Sequence, residues 1–266
     1  MKKLFMLITV LGMLLTSNAQ AARSFSLPAN AKQIAKNIYD LGTGRHNGEQ
    51  VRGYAFIHRT AHDARPEGVG NGGGPKASRC YAFIGSGAKW ITVEDYMVDS
   101  TNLSGLSQIE VETTIATATG LWNEQVDGIV FGNQVPGVID GADTTTPLDD
   151  KNEVYFSTIN DSAIDSNNTI AVTVVWGIFS GPPKDRRLVE WDQVYNEAFV
   201  FGDASTNTGV MDALGIAAHE VGHAAGMGHP DSACVDETMF AYAAAGEIKK
   251  RDLNAGDIAG IQKLYK

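Results

Sequence analysis

Residues 219–229 read His-Glu-Val-Gly-His-Ala-Ala-Gly-Met-Gly-His. His219 and His223 are four residues apart, so on an α-helix their imidazole rings lie on one face, about one turn apart. Both rings can therefore reach one metal ion. Glu220 then lies beside the ion, where its carboxylate can take a proton from a water. The stretch predicts a helix from about Met211 to Ala225 that carries a metal site.

The end of this stretch supplies a third ligand from another direction. Gly226 tolerates a left-handed backbone, so it can end the helix and turn the chain. His229 then returns to the metal. Three nitrogen ligands leave the fourth position of a zinc ion open for water, which is typical of a catalytic site rather than a closed structural one.

The alternative is that these histidines are ordinary residues of an amphipathic helix. Three of the six histidines, one Glu and one Gly occupy five fixed positions, a coincidence with a probability on the order of 10⁻⁵ in a chain of this length. The metal site is therefore the better interpretation. His58 and His62 share the four-residue spacing, but their context predicts a strand, so we interpret them as structural or surface histidines.

The motif of residues 219–229 resembles the zinc signature of the metzincins. Downstream, Met239 stands where metzincins place a methionine turn beneath the zinc. Residues 253–265 resemble the C-terminal helix of the matrixin subgroup, and Trp90 and Trp122 fit its spacing, as does the stretch 192–196. The resemblance covers roughly residues 80–266, a matrixin-like catalytic domain.

The resemblance implies an α/β metzincin fold with a twisted, mostly parallel five-stranded sheet, an antiparallel edge strand, an active-site helix and a C-terminal helix. It also implies a zinc endopeptidase in which Glu220 is the general base for water that attacks the scissile carbonyl. The substrate would lie extended along an edge strand, for which Thr169 to Phe179 is our candidate. Residues Phe240 to Gly246 would line the pocket for the residue after the scissile bond.

Some positions depart from the matrixin pattern. Pro230 replaces the usual Ser after the third histidine, as in the serralysins. The tyrosine zinc ligand of serralysins would fall at Ala241, so Tyr242, one residue further on, is left out of the metal set. The sequence shows no second His and Asp cluster like the structural zinc site of animal matrixins, and no haemopexin-like domain.

The first residues predict export. Lys2 and Lys3 precede an apolar run, and Ala19-Gln20-Ala21 is typical of a signal peptidase site, so residues 1–21 are predicted to be a signal peptide that is cleaved near Ala21. Its removal takes the formal net charge from −10 to −12. Such a charge disfavours nucleic acid or a membrane surface as a partner. We expect an extracellular or periplasmic protein, with a monomer favoured.

Residues 22–79 form a separate segment before the catalytic domain. We predict a short helix from Ala31 to Leu41 and a strand from Tyr54 to His58. Five glycines and Pro75 at the end of the segment indicate a flexible linker. The sequence leaves open whether this segment is a prosegment that is removed or a subdomain that is retained.

The two cysteines have two interpretations. Exported thiols usually pair, which favours a Cys80–Cys234 disulfide. The resemblance offers a second interpretation, because matrixin prosegments block the zinc with a cysteine just before the catalytic domain. The glycine and proline of such a switch are absent around Cys80, so the disulfide is favoured.

The remaining elements follow from local patterns. A capping box at Ser107 and Glu110 begins a helix that ends near Gln125. This helix has an apolar stripe, and several strands are predicted in the same domain. A C-terminal helix, capped by Asn254 and with Asp257 in its first turn, completes the domain. The stripe contains Ile109, Ile115, Ala118, Leu121 and Trp122, and the strands span Lys89 to Val98, Asn152 to Thr158, Thr169 to Phe179 and Ala198 to Phe201.

A long polar loop lies between Gly132 and Asp150. Its acidic residues are Asp140, Asp143, Asp149 and Asp150. Carboxylates of this kind can bind Ca²⁺. The loop lacks the Asp-x-Asp-x-Asp-Gly spacing, so a solvated loop is the favoured interpretation and Ca²⁺ a weaker one.

Two other functions remain open at this point. The chain could be a secreted, non-proteolytic module that binds a partner on a metzincin scaffold, or a zinc hydrolase of small amides or cell-wall peptides. The intact Glu220 argues against a pure binding module, which has no need of that carboxylate. Protein or peptide substrates are therefore the expected partners.

Overall fold

The computed structural model describes residues 23–61 and 80–266. The predicted signal peptide, the glycine-rich linker and His62 lie outside the described residues. The helices are α1 (Gln108–Asn123), α2 (Ala213–Ala224) and α3 (Ala255–Tyr265). The strands are β1 (Ser24–Phe25), β2 (Lys32–Ala35), β3 (Ile38–His46), β4 (Glu49–Thr60), β5 (Ala82–Phe83), β6 (Glu94–Val98), β7 (Phe131–Gln134), β8 (Glu153–Ile159), β9 (Thr169–Ile178), β10 (Arg187–Asn196), β11 (Phe201–Gly202), β12 (Met211–Asp212), β13 (Met227–Gly228) and β14 (Tyr242–Ala243).

Within the described residues, the main sheet is mixed and has ten strands. Its order is β2-β3-β4-β9-β10-β8-β6-β7, with β1 paired to β8 and β14 paired to β4. Within it, β10, β8, β6 and β7 are parallel neighbours and β9 is antiparallel to β10. These five strands have the predicted directions. The prediction of a five-stranded sheet ending at β9 is wrong, because the N-terminal segment adds β2, β3 and β4 beyond it.

The predicted helix from Ala31 to Leu41 is also wrong. These residues form β2 and the start of β3, which pairs antiparallel with β4. Tyr39 and Leu41 alternate with polar neighbours and bury their side chains on one face of the sheet. Alternation of this kind suits a strand, and pairing with β4 outweighs the local helical pattern.

Helix α1 begins where the sequence predicts, and it packs against α2. Ser107 and Glu110 form the predicted capping box. The indole Nε1 of Trp122 donates a 2.8 Å hydrogen bond to the carbonyl of Ala218 on α2, which ties the two helices together. Ile109, placed in the apolar stripe, is instead 76% exposed, because it lies in the first turn, away from α2.

Two hydrophobic clusters cover the two faces of the sheet. One lies between the sheet and the three helices and includes Trp122, Trp191 and Met239. The other lies on the opposite face and is built largely by the N-terminal segment with β8 and β9. The segment is therefore part of a shared core. Among the described residues, no helix is long and apolar enough to cross a membrane.

Candidate metal centre

Helix α2 positions the first two histidines, and both of its ends are fixed by local chemistry. Asp212 caps the start, where its Oδ2 accepts a 2.8 Å hydrogen bond from the amide of Gly215. Gly226 ends the helical turn with φ at +99°, and a Cβ there would lie 2.7 Å from the carbonyl oxygen of Ala88. The predicted sharp turn at Gly226 is thus present, and glycine is required for it.

The turn brings three imidazole nitrogens together. His223 Nε2 lies 3.0 Å from His229 Nε2, which lies 3.3 Å from His219 Nε2. His219 and His223 are fully buried, and His229 is partly exposed. The motif places the three donors as the spacing predicts.

Hydrogen bonds on the far side of two rings fix which nitrogen faces the centre. His219 Nδ1 is 2.7 Å from the carbonyl of Thr238, and His223 Nδ1 is 2.8 Å from the carbonyl of Met227. A carbonyl only accepts, so each Nδ1 carries the proton and each Nε2 presents a lone pair. Burial holds the pKa of all three rings below the ordinary value, which keeps them neutral.

Such a donor set fits a zinc ion. A tetrahedral zinc with Zn–N bonds of about 2.0–2.1 Å places its nitrogen ligands about 3.3–3.4 Å apart. The separations given above lie close to this value. Neutral nitrogens that face one another repel unless a cation lies between them, so the geometry favours a bound metal.

Glu220 lies beside the three rings with both oxygens occupied. Its Oε2 accepts a 2.5 Å hydrogen bond from the Thr173 hydroxyl, and its Oε1 lies 2.9 Å from His58 Nδ1. Burial raises the pKa of Glu220 to about 8, against the lowering effect of the Thr173 hydroxyl. Thr173 belongs to β9, and no sequence pattern singled it out.

The position of His58 differs from the one that the sequence predicts. His58 was interpreted as a structural or surface histidine, but it lies fully buried in the candidate site. Its ring stacks on His219 with a centroid distance of 3.8 Å. The strand context was right and the conclusion from it was wrong, since β4 pairs with β9 next to the zinc motif.

The methionine turn lies beneath α2, as the resemblance implies. The side chain of Met239 is fully buried, and a Cβ on Gly222 would lie 2.2 Å from its sulfur. The carboxylate of Asp257 accepts hydrogen bonds from the amides of Thr238 (2.7 Å) and Met239 (3.2 Å). Asp257 was expected only to favour the start of α3, so its hold on the turn was missed.

A buried lysine, Lys250, also supports the methionine turn. Lys250 Nζ donates a 2.7 Å hydrogen bond to the carbonyl of Thr238 and another to the carbonyl of Phe240. Burial lowers the pKa of Lys250 to about 7. Thr238 therefore links Lys250 to His219 through one carbonyl. Sequence reasoning missed Lys250, because a lysine between two other basic residues is expected to be solvated.

The cysteines form a disulfide, as favoured. Cys80 and Cys234 are joined with a Cα–Cα distance of 5.6 Å. The Cys80 sulfur is therefore unavailable as a thiolate to block a zinc ion. The bond links the start of the second described range to the loop before the methionine turn.

A second polar cluster lies on the opposite face of the sheet. Glu190 and Asp192 of β10 and Glu153 of β8 are buried there under the loop between β7 and β8. The amides of this loop bond to the carboxylates: Asp150 N donates to Glu190 Oε2 at 2.7 Å, and Asp143 N donates to Asp192 Oδ2 at 2.9 Å. The loop is thus held by these acids rather than being only solvated.

Charge in this cluster is not balanced. Oxygens of Asp143, Asp149 and Glu190 lie within 4.8 Å of one another. Within the described ranges, Glu190 Oε1 is buried and has no hydrogen-bond partner. Burial raises the pKa of Glu190 to about 10 and that of Glu153 to about 7. Lys151 pairs with the outer acids Asp140 and Asp149.

The fold and the candidate metal site together define the class of protein. A mixed sheet supports a helix that carries two histidines, a third histidine follows a glycine turn, and a methionine turn lies below. The sequence model of the Matrixin family matches residues 89–266, more than half of the chain. The chain belongs to the matrixins, which are zinc metallopeptidases of the metzincin group. No curated protein matches the chain at a significant level.

Proposed function

We propose that the protein is a secreted zinc-dependent endopeptidase, with zinc bound by His219, His223 and His229 and with Glu220 as the general base. The convergence of three neutral Nε2 atoms beside a buried carboxylate carries this proposal. A bound zinc would polarise the scissile carbonyl and acidify the attacking water. Glu220 would accept the proton from that water and return it to the leaving amine.

The pairing of β4 supports a binding site for an extended peptide. β9 and β14 both pair with β4. In the absence of β4, their backbone N–H and C=O groups would face a peptide bound between them. A substrate bound there would be held by main-chain hydrogen bonds, which are independent of side-chain identity. Residues 240–246, which include β14, would form one wall of the pocket after the scissile bond.

We further propose that residues 1–21 are removed on export and that residues 22–79 are a prosegment. The Cys80–Cys234 disulfide supports an oxidising compartment, because such bonds rarely persist in reducing cytosol. N-terminal sequencing of the protein recovered from culture medium and periplasm tests both points. A start near Ala22 in every active fraction would contradict the prosegment.

The decisive experiment compares the zinc-loaded protein after N-terminal processing with its Glu220→Ala variant, processed in the same way, on casein and on a quenched-fluorescence peptide library. Glu124→Ala, at an exposed glutamate at the end of α1, is the matched control. We expect cleavage that survives in the control and is lost in Glu220→Ala, while zinc content stays equal in all three. Zinc binding without cleavage, after any N-terminal processing, would refute the peptidase assignment.

We propose Ca²⁺ as a second ion, bound at the carboxylate cluster under the loop between β7 and β8. All available donors there are oxygens, which Ca²⁺ prefers. The orphaned Oε1 of buried Glu190 supports the proposal, since an unpaired buried charge is costly. Asp143 and Asp149 would share the ion with Glu190.

A further inference from the structure

We propose that His58 is the residue that keeps the folded precursor latent: strand β4 occupies the peptide-binding cleft and holds His58 against Glu220 until β4 is displaced. The inference rests on the proposed peptidase function, because it assigns the regulation of that same site. It requires no cysteine. Three observations carry it: the backbone pairing of β4, its contacts with the metal-site rings, and the occupied carboxylate.

The backbone of β4 uses the hydrogen-bonding groups that an extended substrate would need. β4 is antiparallel to β9, with Cα partners from Arg52 and Gly177 to Arg59 and Thr169. On its C-terminal part it is also parallel to β14, where the amide of Arg59 donates to the carbonyl of Ala241 at 3.2 Å. A peptide cannot add to the free edge of β9 while β4 is there, so the two exclude each other.

The side chains of β4 cover the metal site. Phe56 stacks on His223 with a centroid distance of 4.5 Å, and its ring meets that of His229 edge-on at 6.2 Å. His58 stacks on His219. Since alternate residues of a strand share a face, both residues point to the same side, toward α2. Two of the three metal-site rings are therefore stacked against β4.

The carboxylate that must accept a proton is also engaged. Glu220 Oε1 faces His58 Nδ1 and Oε2 accepts from Thr173. In the part of the chain that the structure describes, His58 Nε2 has no hydrogen-bond partner. Its one polar contact is thus with Glu220, which places the imidazole where a substrate and its attacking water would approach that residue.

Buried contacts anchor β4 on both sides. The guanidinium of Arg59 donates to Asn37 Oδ1 at 3.0 Å and to the carbonyl of Ile164 at 2.8 Å. The amide of Thr60 donates to the carbonyl of Asn168 at 2.9 Å. Together with the β3–β4 pairing, these bonds make β4 an integral strand, so latency is a property of the folded chain.

The test uses the whole exported chain, residues 22–266, loaded with zinc and with its disulfide intact. It compares Phe56→Leu, His58→Ala and the double variant with the unmodified chain, and Arg52→Ala is the control on β4. Arg52 pairs with Asp40 and its side chain is 46% exposed, away from the metal site. Two readouts are recorded: cleavage of a quenched peptide, and binding of a fluorescent tripeptide hydroxamate followed by polarisation. Intact mass at the end of each assay shows that no chain was cut.

We expect the unmodified chain and Arg52→Ala to be nearly inert and each β4 variant to gain about tenfold or more in both readouts, as the open fraction rises. Circular dichroism identifies a variant that has unfolded, and the milder Phe56→Leu then decides. A reductant added to the unmodified chain should not activate it, since Cys80 is not the blocking group.

The outcomes separate the two proposals. If the unmodified chain cleaves the peptide as fast as the β4 variants, latency is overturned and the peptidase stands. If no form cleaves but hydroxamate binding rises in the β4 variants, latency stands and the peptidase fails. If hydroxamate binding is equal in all forms, β4 does not block the site. As an independent arm, a synthetic peptide of residues 49–60 should inhibit the double variant in trans, and its His58→Ala version should inhibit less; equal inhibition overturns the role of His58.

Discussion

The two polar clusters of this protein lie on opposite faces of one sheet and respond to burial in opposite ways. Burial keeps the imidazoles of His219 and His223 neutral, with their lone pairs available. On the other face, burial works against the ionised carboxylates of Glu190 and Asp192. Neutral imidazoles bury no net charge when the metal is absent, whereas buried carboxylates need a proton or a cation to neutralise them. The histidine cluster should therefore affect zinc and activity, and the carboxylate cluster should affect stability.

The largest expected effect is loss of zinc in His223→Ala. Loss of one of three ligands should lower zinc affinity by more than about a hundredfold, since outer partners alone cost 10- to 100-fold. Zinc content after dialysis against a competing chelator measures it. Asp143→Asn should keep its zinc; if it loses zinc as well, the two clusters are not independent.

The matching change on the other face is Glu190→Gln. At a Ca²⁺ concentration about 100 times Kd, the unmodified protein should gain about 2.7 kcal/mol in unfolding free energy. The variant should lose most of this gain but keep its zinc and activity. Denaturant titrations in calcium-free buffer with stoichiometric zinc, with and without added Ca²⁺, measure the difference. A Ca²⁺ response equal in both proteins would contradict the calcium site.

Gly222→Ala probes the packing under the histidine cluster. A Cβ there would collide with the Met239 sulfur and the Trp122 ring, so we expect a loss of about 1–3 kcal/mol in unfolding free energy. Gly120→Ala in α1 is the control, because nothing lies within 4 Å of a Cβ there. It should stabilise by up to about 1 kcal/mol. A stable Gly222→Ala protein would show that the turn can shift freely.

The carboxylate cluster should also make stability depend on pH. The folded-state pKa values of Glu153 (about 7) and Glu190 (about 10) lie above the ordinary value of 4.5, so the unfolded chain binds fewer protons above that value. Without Ca²⁺, the stability that these two carboxyls contribute should be fully present below pH 4.5 and fall as pH rises toward each folded-state pKa, by up to about 1.4 kcal/mol per pH unit for each group. Saturating Ca²⁺ should flatten the slope. Unfolding curves of the zinc-loaded protein and of its Glu190→Gln variant at each pH separate this contribution from that of the buried histidines. A stability of the unmodified protein relative to the variant that rises with pH would contradict the raised pKa of Glu190.

Local patterns predicted the elements that depend on local chemistry. The capping box at Ser107, the helix with the histidines and the turn at Gly226 are present because each rests on residues within a few positions of one another. The prediction of a helix at residues 31–41 was wrong. Only the pairing with β4 reveals that buried and exposed side chains alternate there as they do in a strand. The exposed position of Ile109 likewise depends on where α2 lies.

The sequence by itself determined the metal-site motif and, through it, the family, because five spaced residues between positions 219 and 229 specify a donor set. Only the tertiary structure decided that Thr173, Asp257 and Lys250 support this site, and that β4 lies on it with His58 against Glu220. The contact between His58 and Glu220 spans 162 residues of sequence. Contacts of this kind follow from strand pairing and register, which many sequences can satisfy and no short motif records.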